Sequence, residues 1–112
     1  MELTFTVEKE NCEFATGLIT LGLLEGIKSG VIPAEAGIWS LGRPRFWTEL
    51  ERNQLISGSL LQVIKTSDEL DVIERTGDLA KVLDSLITQV KKSLSEINYK
   101  KNSLIIDTVV KT

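Results

Sequence analysis

The feature that most constrains the fold is an amphipathic repeat over residues 79–99. Apolar side chains recur every three or four positions, at 79, 83, 86, 90, 94 and 97. Lysine, aspartate, serine and threonine occur at positions 81, 84, 85, 88, 91, 92 and 95. One face of a helix with this sequence is therefore apolar and the other polar. The repeat predicts a long helix over 79–99. A chain of 112 residues must then supply further elements that cover its apolar face.

Several shorter segments also carry helix signals. Asn11 is suited to cap a broadly apolar helix, and Gly30 is suited to end that helix in a left-handed conformation. Thr66-x-x-Glu69 has the form of a capping box, with Thr66 as the N-cap of a helix that ends at Gly77. Pro33 and Pro44 are suited to the first positions of two further helices, and a break at 57–58 follows the second of these before the apolar pattern resumes. The predicted helices are 12–29, 33–41, 44–56, 66–75 and 79–99.

Glycines at positions 17, 22 and 26 lie within the predicted helix 12–29. Each costs about 1 kcal/mol of helix propensity relative to alanine, so we expect another helix to approach them closely. Gly22-x-x-x-Gly26 resembles a membrane dimer motif, but the uncharged apolar stretch 14–24 is about half of the roughly 20 residues that cross a bilayer. The sequence predicts no membrane span.

The sequence predicts two β-strands. Leu3, Phe5 and Val7 alternate with polar residues, which is typical of a half-buried strand, and 104–110 is rich in β-branched residues. A lone strand leaves backbone groups unpaired, so we expect the two to pair, unless one is offered to another subunit. The predicted fold class is mostly α, with four to five helices and short N- and C-terminal β-strands, described as α+β. Residues 1–112 form a single domain in this interpretation.

The side chains of most familiar catalytic sites are missing. The sequence has no histidine and one cysteine, Cys12, which excludes Ser-His-Asp and Cys-His nucleophile systems and most zinc sites. Carboxylates at positions 68, 69, 71, 74 and 78 lack the spacing of a calcium loop. We predict no catalytic residue, no cofactor and no metal. A single cysteine and the absence of a leader pattern favour a cytoplasmic location.

The charge distribution limits the kinds of partner that the chain could bind. A formal charge of −3 argues against nucleic acid as a partner, because that interaction needs a positive surface. Residues 66–78 carry five carboxylates against one arginine, whereas 89–112 carry five lysines against two carboxylates. Helix capping explains the acidic segment, and the solubility that lysines confer explains the basic one. The two segments would also permit an acidic recognition surface, or head-to-tail association of one copy's acidic segment with another's basic segment.

Both tryptophans and two arginines lie within the nine residues 39–47. Trp and Arg are enriched at binding hot spots, because each combines a large contact area with directional donors. The candidate partner-binding residues are Trp39, Arg43, Arg45 and Trp47. The alternative is that the two tryptophans close helices onto the core.

The order Gly22-Leu23-Leu24-x-x-Ile27-x-x-Gly30-x-Ile32, followed by Ala36 and Pro44, resembles a family of short, uncharacterised bacterial proteins of unknown function. The sequence departs from that pattern around residues 41–43, where an aromatic residue is expected. The resemblance implies no catalytic residues. Small acidic bacterial proteins of this kind resemble immunity proteins or antitoxins, which act by covering a partner.

The favoured function is a non-enzymatic protein-binding module, such as an inhibitor, an immunity-type factor or an adaptor. Its partner would be another protein or a second copy of the chain, and the sequence leaves a homodimer open. One alternative is a DNA-binding regulator that uses the helices of residues 43–65. Another is an enzyme that uses carboxylates or a lysine.

Overall fold

A computed structural model describes residues 1–41, 43–99 and 107–111. It is 67% helical, has four helices of nine residues or more, and adds a two-stranded antiparallel sheet, which confirms the mostly α, α+β prediction. The helices are α1 (Cys12–Lys28), α2 (Ala36–Trp39), α3 (Pro44–Arg52), α4 (Gly58–Thr66), α5 (Leu70–Thr76) and α6 (Leu79–Ser95), and the strands are β1 (Glu2–Thr6) and β2 (Asp107–Lys111). Two 3-10 turns, Lys9–Asn11 and Ser67–Glu69, precede α1 and α5.

The core forms where α6 packs along α1 and against α4. The predicted amphipathic face of α6 is confirmed, because its buried residues follow the three- and four-residue spacing of the repeat. The helix ends at Ser95, before the predicted position 99, and the Tyr99 ring then lies 5.6 Å from the ring of Phe14 on α1. The buried apolar cluster comprises Leu24, Ile27, Ala34, Leu41, Leu60, Val63, Ile64, Leu70, Leu83, Leu86, Ile87 and Val90.

The glycines of α1 have different neighbours. A methyl group at Gly17 would lie 2.7 Å from Cδ2 of Leu94, so α6 approaches α1 closely there, as the sequence predicts. At Gly26 the neighbour is Ile32, in the segment after the helix, at 3.2 Å. Gly22 is different, because a methyl group at this position would meet open space. The expected close approach of another helix is therefore found at Gly17 and not at Gly22 or Gly26.

Local signals at the helix ends are partly confirmed. Gly30 adopts the predicted left-handed conformation, with φ of 79°. Gly77 directly follows α5, as the predicted helix end requires, and its φ is 85°. The capping box at Thr66 is wrong: its hydroxyl donates to the carbonyl of Gln62 at 2.9 Å, because the chain runs from α4 through a 3-10 turn into α5 without a new start. The helix predicted to reach position 56 ends at Arg52, two residues before Gln54 takes a φ of 51°.

The break predicted at 57–58 is the start of α4. Ser57 is its N-cap, and its hydroxyl accepts a hydrogen bond from the Leu60 amide at 3.2 Å. The carboxylate of Glu13 accepts hydrogen bonds from both the amide and the hydroxyl of Ser57, each at 2.6 Å. Glu13 therefore ties the first turn of α1 to the start of α4.

The predicted pairing of the two strands is confirmed. β1 and β2 are antiparallel, with Glu2 opposite Lys111 and Thr6 opposite Asp107, and together they form the β ribbon. The half-burial predicted for the first strand is wrong, because every residue of β1 is exposed. Its side chains pair across to β2 and are not covered by a helix among the described residues. Of the second predicted strand, positions 104–106 lie outside the described residues.

Candidate partner-binding site

The segment around α2 is fixed to the core by small and apolar residues. Ala34 and Leu41, on either side of the helix, are buried. Gly37 lies so close to the Ser67–Glu69 turn that a methyl group on it would be 2.6 Å from the carbonyl oxygen of Ser67. These contacts hold the main chain of α2 against the core. Trp39, at the end of α2, is 72% exposed.

Helix α3 is fixed to the core by one face only. Pro44 occupies its first turn, where the missing N–H costs no hydrogen bond. Trp47 and Leu50 are half-buried and pack against the core. Lys65 of α4 places its Nζ 4.7 Å from the centre of the Trp47 ring and 2.7 Å from Oε2 of Glu51. Cation–π and ionic contacts therefore hold α3 to α4 through Trp47 and Glu51.

Residues between α2 and α3, together with residues of the first turn of α3, line an open cleft of about 320 Å³. Ser40, Arg43, Arg45 and Phe46 form its lining, and we call these four residues the arginine cleft. Phe46 is 37% exposed, so part of its ring is available for contact. The hydroxyl of Ser40 already donates to the carbonyl of Ala36 at 2.6 Å, which leaves its oxygen free to accept a hydrogen bond.

The positive charge of the cleft is not compensated locally. Neither arginine side chain makes a hydrogen bond or an ion pair with any part of the chain that the structure describes, and both are exposed. Other basic residues are paired, as Lys28 is with Asp84 at 2.8 Å and Arg52 with Glu49 at 3.2 Å. The cleft therefore presents two guanidinium groups whose donors remain available.

The structure separates the four candidate residues into two groups. Arg43 and Arg45 line the cleft together, and Trp39 is exposed one residue before the cleft residue Ser40. Trp47 lies on the other face of α3, where it packs toward α4. Two cleft residues, Ser40 and Phe46, were not among the predicted site residues. Helical periodicity could have indicated that Phe46 is exposed when Trp47 packs inward. Neighbouring positions of a helix differ by about 100°, so Phe46 and Trp47 must face different directions.

The remaining candidates for catalytic or metal chemistry among the described residues are poorly suited to it. Partial burial raises the pKa of the Cys12 thiol, whose Sγ lies 3.6 Å from the carbonyl oxygen of Glu8. A raised pKa leaves less of the reactive thiolate near neutral pH, which disfavours Cys12 as a nucleophile. Within residues 1–41, 43–99 and 107–111, no three acidic or cysteine side chains come together as a metal site.

Comparisons with family models, with curated proteins and with solved structures find no match to this chain. None of the described helices is both long enough and apolar enough to cross a membrane. The arginine cleft and the exposed Trp39, which precedes Ser40 in the sequence, are the candidate binding features.

Proposed function

We propose that this chain is a non-enzymatic protein-binding module whose arginine cleft binds an acidic segment of a partner protein. The observation that carries the proposal is that two arginines, Arg43 and Arg45, share one cleft and form no ion pair with a carboxylate of the described residues. A guanidinium group with free donors binds a carboxylate bidentately, which gives both affinity and orientation.

The surroundings of the two arginines suit such a partner. Arg43 immediately precedes α3 and Arg45 lies in its first turn, where the helix dipole favours negative charge. Phe46 adds an apolar wall, and Trp39, one residue before Ser40 in the sequence, adds a large exposed ring. An acidic peptide that also carries an apolar side chain would satisfy both kinds of contact.

The enzyme and DNA-binding alternatives receive less support. The sequence has no histidine, and among the described residues those that line the cleft include neither a carboxylate nor a lysine. On α3, Glu49 pairs with Arg52, and Glu51 pairs with Lys65 of α4. These carboxylates reduce the positive charge that a DNA-binding helix needs.

An inhibitor, an immunity-type factor and an adaptor would each use such a surface, in keeping with the resemblance to short bacterial proteins. The proposed location of the module is the cytoplasm, where a single reduced cysteine is stable. Its partner would be a protein with exposed aspartate or glutamate near an apolar residue.

Selection from a random peptide library on the immobilised protein tests the proposal. We expect enrichment of peptides rich in Asp and Glu. Binding of a selected peptide should fall at least about tenfold in Arg43→Ala/Arg45→Ala, because each lost charge-assisted bond contributes about 1.5–3 kcal/mol. The charge-matched control Arg52→Ala/Arg75→Ala should retain binding.

Two outcomes would contradict the proposal. One is selection of peptides without acidic residues. The other is equal loss of binding in both double variants, which would mean that net charge and not the cleft is responsible. Duplex DNA serves as a competitor: if it binds more tightly than the selected peptide and displaces it, the regulator alternative is favoured.

A further inference from the structure

The β ribbon makes few contacts with the helices that the structure describes. Every residue of its two five-residue strands is exposed. Within the described ranges, the strands pack on each other rather than on a helix, and no third strand joins them. A two-stranded sheet alone is marginally stable in water, whereas three or more strands with an apolar face are stable. A further strand would therefore stabilise the ribbon.

The ribbon has one apolar face. Residues that lie opposite each other in an antiparallel pair project to the same side, so Leu3 and Val110 share a face with Phe5 and Thr108. Leu3, Phe5 and Val110 are 59%, 61% and 56% exposed. The other face is more polar and carries the charged residues at the ribbon ends, including Asp107 and Lys111.

The sequence of β2 is complementary to itself. If two copies of Asp107–Lys111 pair in antiparallel fashion about Val109, Asp107 of each copy lies opposite Lys111 of the other. Opposite charges in directly facing positions stabilise a sheet, and like charges destabilise it. Each Lys111 would then lie between Glu2 of its own chain and Asp107 of the second copy.

The edge of β1 lacks this complementarity. Antiparallel pairing of two β1 strands about Thr4 would place Glu2 opposite Thr6, so no pair of opposite charges would form. The charge pattern therefore selects the outer edge of β2 as the edge that another copy would join.

We infer that a second copy of this chain pairs with the outer edge of β2, antiparallel and centred on Val109, to form a four-stranded sheet with the order β1-β2-β2-β1. The Leu3 and Val110 face of one copy continues into the Thr108 and Phe5 face of the other. The interface is isologous and closes after two copies. It uses the ribbon alone and does not depend on the arginine cleft.

Charge reversal with mixing tests this inference. In Asp107→Lys, two lysines would face each other at each end of the interface, while the pairing of β1 with β2 loses no charge pair, because Asp107 faces Thr6 within the chain. In Glu2→Lys/Lys111→Glu, the pair within the chain is kept in reverse, and acidic residues face each other between copies. An equimolar mixture of the two variants restores opposite charges at both positions.

Molar mass is measured by light scattering after size exclusion, over a range of protein concentrations. We expect a dimer for the unchanged chain, at least about tenfold weaker association for each variant alone, and a dimer again in the mixture. Thr4→Lys serves as the control, because it adds charge to the ribbon away from the outer edge of β2 and should leave the dimer intact.

Three results would overturn the inference. The first is a monomer at every concentration for the unchanged chain. The second is a dimer that Asp107→Lys leaves unaffected. The third is open-ended growth with concentration, as expected if the β2 edge of one copy pairs with the β1 edge of the next. Far-ultraviolet circular dichroism of each variant checks folding, and recovery of the dimer in the mixture shows that both variants retain a competent ribbon.

Discussion

Helix α6 and helix α3 have similar local structure but different roles. α6 buries four apolar residues and packs along α1, whereas α3 has no buried residue and packs one face against α4. Burial of apolar area stabilises a fold by about 25 cal/mol per Å², so α6 contributes much more to stability than α3. The polar face of α3 is correspondingly free to carry Arg45 and part of the arginine cleft.

The difference shows how a small chain separates stability from recognition. The helices α1, α4 and α6 surround the buried cluster and hold the fold. The segment of α2 and α3 is attached to that cluster through residues such as Leu41, Gly37 and Trp47, and it presents Trp39, Arg43 and Arg45 to solvent. Substitutions in the two regions should therefore have different effects on stability and on binding.

The largest effect is expected from loss of a buried leucine. Leu24 of α1 is fully buried, so Leu24→Ala should lower the free energy of unfolding by about 2–5 kcal/mol, through lost apolar contacts and the cavity that remains. The same substitution at half-buried Leu50 of α3 should cost about 1 kcal/mol. Urea denaturation of both variants measures the comparison. Equal costs would show that α3 is as important to the core as α1.

A smaller effect is expected where α2 meets the Ser67–Glu69 turn. In Gly37→Ala the new methyl group would lie 2.6 Å from a main-chain carbonyl oxygen, so the turn must shift, at a cost of about 1–3 kcal/mol. Gly22→Ala is the matched control: it meets open space in α1 and should stabilise the helix by up to about 1 kcal/mol. Thermal unfolding of the two variants should therefore shift in opposite directions. A stabilised Gly37→Ala would mean that α2 is not held against the turn.

The start of α4 should show a more modest effect. Ser57→Ala removes the hydroxyl that caps α4 and that donates to Glu13, and should cost about 1–2 kcal/mol. Ser59→Ala, in the same turn, removes a hydroxyl that bonds to other serine hydroxyls, and should change stability by no more than about 0.5 kcal/mol. Chemical denaturation distinguishes the two. Similar costs would argue against the specific tie between α1 and α4.

The smallest effect on stability is expected at the arginine cleft. Arg43 and Arg45 are exposed and unpaired within the described ranges, so Arg43→Ala/Arg45→Ala should change the free energy of unfolding by no more than about 0.5 kcal/mol. The same variant should lose binding of an acidic peptide. A large loss of stability would show that the arginines support the fold and would weaken their proposed role in recognition.

Elements governed by local physics were predictable from the sequence. The apolar spacing of α6 is intrinsic to its sequence, and the left-handed conformations of Gly30 and Gly77 follow from the absence of a Cβ atom. Features that depend on distant neighbours were not. The Thr66 hydroxyl bonds back to Gln62 because α4 continues past it, and β1 is exposed because no described helix covers it.

The candidate site illustrates the same limit. The four predicted site residues lie within nine positions of the sequence, which led us to expect one cluster: Trp39, Arg43, Arg45 and Trp47. Which side chains of α3 face solvent depends on how that helix is rotated against α4, and the rotation is set by contacts such as Lys65 with the Trp47 ring. Proximity along the chain therefore identified the region, while tertiary packing determined which residues of it line the cleft.

The central claim is that recognition occurs at the arginine cleft and not at the helical core. Its most direct test is amide chemical-shift mapping of the nitrogen-15-labelled protein during titration with a selected acidic peptide. We predict that the largest shifts fall on residues 39–46, with small shifts along α6. Shifts centred on the β ribbon or on the acidic residues of 68–78, with residues 39–46 unperturbed, would contradict the account.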